Sequence, residues 1–131
     1  MNLIDTHAHL DEEQYSADIA EVISRSRSVG VEAILCVGIT ADSSEAAVRL
    51  AESHDIIYAS VGIQPNYCRE AASADWDRIV RLVDHPRVVA VGETGLDRHW
   101  NFTPFDVQED YFNRHLRLAS ESNLPVIVHC R

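Results

Sequence analysis

Three observations predict a parallel α/β fold, a partial (β/α) barrel of the TIM type with about five strands and four helices. Five short apolar or β-branched runs alternate with four helical patterns. Most of these runs are apolar at consecutive positions, as in strands covered on both faces. Side chains able to hold a metal stand at the carboxyl ends of three of them, where barrel enzymes place their chemistry.

The runs Leu3–Asp5, Val31–Val37, Ile56–Val61, Val88–Val91 and Pro125–His129 are each too short for an ordinary helix and read as strands. Between the first two, residues 17–29 form a helical pattern with Ile19, Val22 and Ile23 on its inner stripe and Gly30 as its stop. A second pattern, near 43–54, sets Ala46, Ala47, Leu50 and Ala51 at helical spacing. Ser73 or Asp75 can cap a third helix, whose Trp76, Ile79, Val80 and Val83 form one face before Pro86. The fourth begins after Pro104, covers about 105–122 and buries Tyr111, Phe112, Leu118 and Ala119.

From His7 to Gly38, Gly62, Glu93 and His129, successive strand ends are 31, 24, 31 and 36 residues apart. A barrel of eight units and roughly 250 residues needs about 31 per unit. Residues 1–131 therefore read as a single partial barrel domain, slightly more than half, that stops after its fifth strand. The competing architecture is a doubly wound open sheet, but no GxGxxG follows the first strand, where the sequence reads Asp5-Thr6-His7-Ala8-His9.

The 131 residues are 46% hydrophobic and 24% charged, which suits one globular core and excludes a disordered chain. A formal charge of −10 opposes a broad electrostatic footprint on nucleic acid, so any phosphate must be met locally. All 11 basic residues are arginine. A P-loop lysine, a Schiff-base lysine, a Ser–Lys pair and a carboxylated lysine bridging two metals are thereby excluded. Cys36, Cys68 and Cys130 have neither the number nor the spacing of a disulfide framework or a cysteine zinc site, and Cys36 and Cys130 read as packing. With no basic leader, apolar h-region or membrane-length apolar stretch, the expected location is cytoplasmic, away from any membrane.

Asp5, His7 and His9 share parity on the first strand, so both imidazoles can grip one ion while Asp5, lower on the same face, orients a ligand. Glu93, in phase with Val89 and Val91, is expensive to bury unpaired, and the glycines at 92 and 95 allow close backbone approach and a tight turn. In a lysine-free chain Glu93 is the natural bridge between two cations. His129 adds a potential ligand at a third strand end, although a lone histidine there is more often a satisfied core residue. His54 and His85 close helices, His115 sits within one, and His99 lies beside Trp100 in a loop.

On Asp5-Thr6-His7-Ala8-His9-Leu10-Asp11, Gly92-Glu93-Thr94-Gly95-Leu96-Asp97 and Leu124-Pro125-Val126-Ile127-Val128-His129-Cys130-Arg131, in that order, the chain resembles the N-terminal half of TatD-type metal-dependent DNases. These lie in the amidohydrolase-like TIM-barrel superfamily. The resemblance implies two divalent ions, magnesium, manganese or zinc, with His7 and His9 on one, His129 on the other, and Glu93 shared as the catalytic ligand. One departure lies after the third strand, where the family carries a histidine on each side of a proline and this chain reads Gln64-Pro65-Asn66. These amides can donate to a phosphate but cannot shuttle protons near neutral pH. The family's later strands bring a further metal-binding histidine and a catalytic aspartate, which these 131 residues do not contain.

The leading expectation is a metal-dependent hydrolase cleaving DNA phosphodiester bonds, with single strands or ends as substrate. Gln64, Asn66, Asp97, Arg98 and Arg131 are its candidate substrate-binding residues, and Tyr67, Trp100 and Phe102 can stack bases. One alternative keeps the metals but hydrolyses a C–N or ester bond of a small metabolite. Another is an inactive partial barrel that associates with a partner, or with itself, through unpaired first and fifth strand edges.

Overall fold

The structure, a computed structural model, describes residues 2–131; Met1 lies outside the described residues. Five parallel strands, β1 Leu3–Ala8, β2 Val31–Val37, β3 Ile57–Val61, β4 Val88–Leu96 and β5 Val126–Cys130, pair in the order β1-β2-β3-β4-β5. Four helices connect them: α1 Ile19–Ser28, α2 Ala41–Ser53, α3 Asp75–Leu82 and α4 Phe105–Ser122. Sequential pairing never reverses direction, so the sheet has no topological switch point and is a half-barrel, not a doubly wound domain. Among the described residues no helix is long and apolar enough to cross a membrane.

The apolar patterns place the core. Ile34, Cys36, Ile57, Ala59, Val61, Val88 and Val91 of the sheet pack with Ile23, Ala47, Val48, Ala51, Ile79, Leu118 and Ala119 of the helices. Gly30, at φ +93°, ends α1 as expected. Thr40 caps α2, its hydroxyl accepting from the Ser43 N–H at 3.1 Å. Neither Ser73 nor Asp75 caps α3: Ala74 holds the N-cap position, and an Asp75 carboxylate oxygen accepts from the Ala72 N–H instead. Tyr111 and Phe112 of α4 are half-buried, not fully enclosed.

Coverage is uneven, because β1 and β5 are the sheet's two edges. Ile4 is 67% exposed and Val128 54%, and Cys130, expected to pack, is exposed, with no strand paired beyond β5 among the described residues. Cys36 and Cys68 are buried, and burial pushes both thiols up to about 12, which leaves them unreactive.

The largest difference from expectation is in β4, which continues five residues beyond Val91. The glycines flanking Glu93 and Thr94 form no turn. They lie within the strand at φ +135° and +142°, where a Cβ on Gly92 would stand 2.5 Å from the Ile127 carbonyl oxygen and one on Gly95 2.0 Å from that of His129. Gly62 serves the same end. A Cβ there would lie 2.7 Å from Gly92, whereas the bare backbones let the Glu93 N–H reach across to the Gly38 carbonyl at 2.8 Å.

Two buried polar side chains of α4 hold this end of the barrel. Gln108 accepts from the Asp97 N–H at 2.8 Å and donates to the carbonyls of Asp97 and Thr103. His115 accepts from the Ile63 N–H on Nε2 at 3.0 Å, which leaves Nδ1–H to donate to the Tyr111 carbonyl. Burial pushes the His115 pKa down to about 4, against the pull of the Tyr111 carbonyl.

The unfolded chain therefore takes up a proton on His115 below about pH 6.5 that the folded chain refuses until about pH 4. Stability from this group is complete above pH 6.5, falls by roughly 3 kcal/mol on the way to pH 4, and then levels off. Urea denaturation of the native chain and of His115→Gln checks this. Their stability difference should change across that window, and parallel profiles would refute it.

Candidate metal centre

At the carboxyl ends of the strands, β1, β4 and β5 bring together the four histidine and glutamate side chains that the sequence singles out. Glu93 is 94% withdrawn from solvent, its relative exposure being 6%. Its two oxygens face different ways: Oε2 lies 3.5 Å from His7 Nε2 and 4.0 Å from His9 Nε2, and Oε1 lies 2.8 Å from His129 Nδ1. His7, His9 and Glu93 each offer a ligand atom, all within 4.8 Å of one another.

The His9 ring is fixed by its Nδ1, 2.9 Å from the Val37 carbonyl. A carbonyl only accepts, so Nδ1 carries the hydrogen and the Nε2 lone pair points to the Glu93 side. Strand parity predicts this role for Asp5, but the exposed Asp5 carboxylate accepts from the His7 backbone N–H at 3.1 Å instead. The loop after His9 is anchored by Asp11, which accepts from the Ser43 hydroxyl at 2.6 Å; that hydroxyl in turn accepts from the Ile39 N–H.

Asp97 faces His129, not solvent. It is buried, with Oδ1 accepting from the N–H groups of His99 and Trp100 and Oδ2 accepting from Asn66 Nδ2 at 3.1 Å and standing 2.8 Å from His129 Nε2. Burial alone would raise its pKa. The hydrogen bonds from Trp100, Asn66, His129 and His99 outweigh that and hold the carboxyl well below the usual range. Every acceptor direction of Asp97 is thus committed to protein.

Gln64 and Asn66, on the short 3-10 turn Pro65–Tyr67 and its N-cap, lie at the rim of the same centre. Gln64 Nε2 stands 3.4 Å from His129 Nδ1, and Gln64 Oε1 accepts from the Asn66 N–H. Arg98 and Arg131 are farther out and exposed, Arg98 over the Phe105 ring at 4.0 Å and Arg131 5.7 Å from the centre of Trp100. Their backbones pair, the Arg98 N–H donating to the Arg131 carbonyl.

The donor set suits a divalent transition-metal or magnesium-like cation. The two imidazoles are donors suited to zinc-like transition metals, and the buried carboxylate is a donor that manganese and magnesium also accept. Gln108, His115, Asp11 and Ser43 escaped the sequence reading as supports of this end of the barrel. Gln108 and His115 did leave a signal, as polar residues on the stripe otherwise formed by Tyr111, Leu118 and Ala119.

The family model for TatD related DNase matches residues 4–131. A Bacillus subtilis protein named as an uncharacterized metal-dependent hydrolase, YabD, is 43% identical over 129 residues, 98% of this chain and 51% of that protein. The Pantoea ananatis protein named 3′-5′ ssDNA/RNA exonuclease TatD is 37% identical over 98% of this chain and 50% of its own length. In three dimensions, the crystal structure of YJJV, a TatD homologue from Escherichia coli K12, matches with a TM-score of 0.91 at 30% identity, covering 98% of this chain and 51% of that one. The chain spans about half the length of the curated relatives it matches. With its histidine and glutamate side chains gathered at one end of a half-barrel and the family match running from residue 4 to residue 131, the chain belongs to the TatD related DNase family.

Proposed function

We propose that this chain carries a two-cation centre for hydrolysis of phosphodiester bonds in single-stranded DNA, or at DNA ends. The observation that supports this best is the division of Glu93, with one oxygen toward His7 and His9 and the other toward His129. His7 and His9 would hold one ion, His129 the other, and Glu93 both. When bound, such ions supply Lewis-acid stabilisation of phosphoryl charge and a nucleophile at neutral pH.

The protein's own groups set the geometry. The Val37 carbonyl fixes the His9 tautomer, and Asp97 fixes the His129 ring from its far side, raising its basicity as a ligand. Asp97 is therefore a positioning residue. Gln64 and Asn66 keep a polar rim beside His129 but move no proton near neutral pH, so they bind and orient the substrate. Arg98 and Arg131 reach flanking phosphates from outside the ligand set. Relatives named as ssDNA/RNA exonuclease and metal-dependent hydrolase support this reading over cleavage of a small amide.

A second reading rests on the exposed strand edges. Ile4 and Val128 are exposed on β1 and β5, whose outer edges pair with no strand among the described residues. The chain would then associate with a second copy through these edges.

Three measurements follow from these readings. Manganese or zinc titration of the native chain should saturate at two ions. His7→Ala should lose one and Glu93→Gln should weaken both, while Asp97→Asn should weaken only one, by about 10- to 100-fold; a native chain that binds no ion refutes the centre. Hydrolysis of a labelled single-stranded oligonucleotide should fall about 100-fold or more in Glu93→Gln, and turnover of cyclic amides in its place would overturn the phosphodiester reading. Sedimentation should show a dimer if the edges pair, and a strictly monomeric chain with cooperative unfolding rules that pairing out.

A further inference from the structure

Trp100 stands between two clefts of opposite chemistry. One, of about 390 Å³, is lined by Gln64, Asn66, Tyr67, Glu70, Trp100 and Phe102. The other, of about 330 Å³, is lined by Arg69 and Arg98 and also by Asp97, whose two carboxylate oxygens are already taken by protein donors. Among the described residues neither of these arginines has a carboxylate within 4.0 Å, so both keep their donors for a ligand. The first cleft carries only one charged side chain, the carboxylate of Glu70, which repels phosphate and accepts from amino groups.

The aromatic wall of the first cleft is ordered and open. Trp100 and Phe102 stack at 5.5 Å with 18° between their planes, and His99 meets Trp100 edge-on at 4.5 Å. Trp100 is 43% exposed, Phe102 57% and Tyr67 39%, a cluster of large rings left in water. The floor of the cleft is continuous with the metal centre, because Gln64 stands beside His129 and Asn66 donates to Asp97.

We propose that the cleft between Tyr67 and the Trp100–Phe102 stack binds one unpaired nucleobase of the strand being cut, with a neighbouring phosphate in the Arg69–Arg98 cleft. This rests on the nucleic-acid reading above and deepens it. Stacking needs a free π-face and tolerates any base, so the cleft selects single strands without selecting sequence. Glu70 and the rim amides meet the polar edge of the base, and the acid keeps the phosphate on the arginine side of Trp100.

Trp76→Phe leaves Trp100 as the lone tryptophan of the chain and makes its fluorescence the probe. In EDTA, where the strands stay intact, a thymidine hexamer should quench this signal and bind about 10-fold or more tightly than an abasic hexamer of equal charge. Phe102→Ala or Tyr67→Ala in this background should abolish most of that difference, with the cation stoichiometry unchanged as proof of fold. Equal binding of the two hexamers, or no quenching by either, overturns the proposal. Base preference without hydrolysis would sink the proposed reaction and leave this subsite standing; hydrolysis without base preference would do the reverse.

Discussion

His7 follows from β1 and Glu93 from β4, with β2 and β3 between them in the hydrogen-bonded order. In a flat sheet three strand spacings would hold their backbones about 14 Å apart, and side chains standing perpendicular to the sheet could not meet. They lie 3.5 Å apart, and His129, on the opposite edge strand, lies 2.8 Å from the same carboxylate. The curl of the sheet is therefore what makes the site. Its cause is partly local: Gly62, Gly92 and Gly95 remove the Cβ atoms that would hold β4 away from β3 and β5, and the Glu93 N–H then bonds to Gly38 at the end of β2.

Curling the sheet buries Glu93, and a buried carboxylate needs compensation. Among the described residues no arginine comes within 4.0 Å of it, and its ionisable partners at that range are three imidazoles, two on one oxygen and one on the other. Neutral imidazoles compensate a carboxylate weakly unless a proton or a cation joins them. This surrounding fits the proposed role of Glu93 as a cation ligand better than that of a structural glutamate. Asp97 shows the contrast. It lies deeper, yet four hydrogen-bond donors surround it, so its charge is satisfied by the protein alone and can be turned to holding His129.

The strands and helices were legible because local pattern and tertiary role agree: β2 spans Val31–Val37 and α4 Phe105–Ser122, as their apolar periodicity indicates. Their failures share one cause. Gly92-Glu93-Thr94-Gly95 reads as a turn by local preference, but the carbonyls of Ile127 and His129 demand glycine inside a strand, a requirement carried by residues more than thirty positions away. Asp5 was given the ligand-orienting role by strand parity, whereas a carbonyl on the neighbouring strand fills it, and backbone acceptors leave no mark in a sequence. Cys130 reads as packing because parity turns it to the face opposite His129, but among the described residues β5 is an edge strand and Cys130 is exposed. His7, His9, Glu93 and His129 are readable as a set because each follows an apolar run in the sequence, and the carboxyl halves of strands converge in a barrel, even though β4 runs on past Glu93 to Leu96.

Gln64 and Asn66 stand where a histidine pair would bring proton transfer to the rim, and their hydrogen bonds show what an amide pair does instead. Gln64 closes on the Asn66 N–H, and Asn66 donates to Asp97, so the two amides tie the turn after β3 to the carboxylate that orients His129. An imidazole at position 66 could take either protonation state beside Asp97, and its hold on that carboxylate would vary with pH. The amide donates at every pH. The amide pair offers no acid–base group at the rim, but it links the turn after β3 to Asp97 and so to His129. In the proposed hydrolysis the rim's contribution would then be positional, Gln64 holding the floor of the aromatic cleft beside His129.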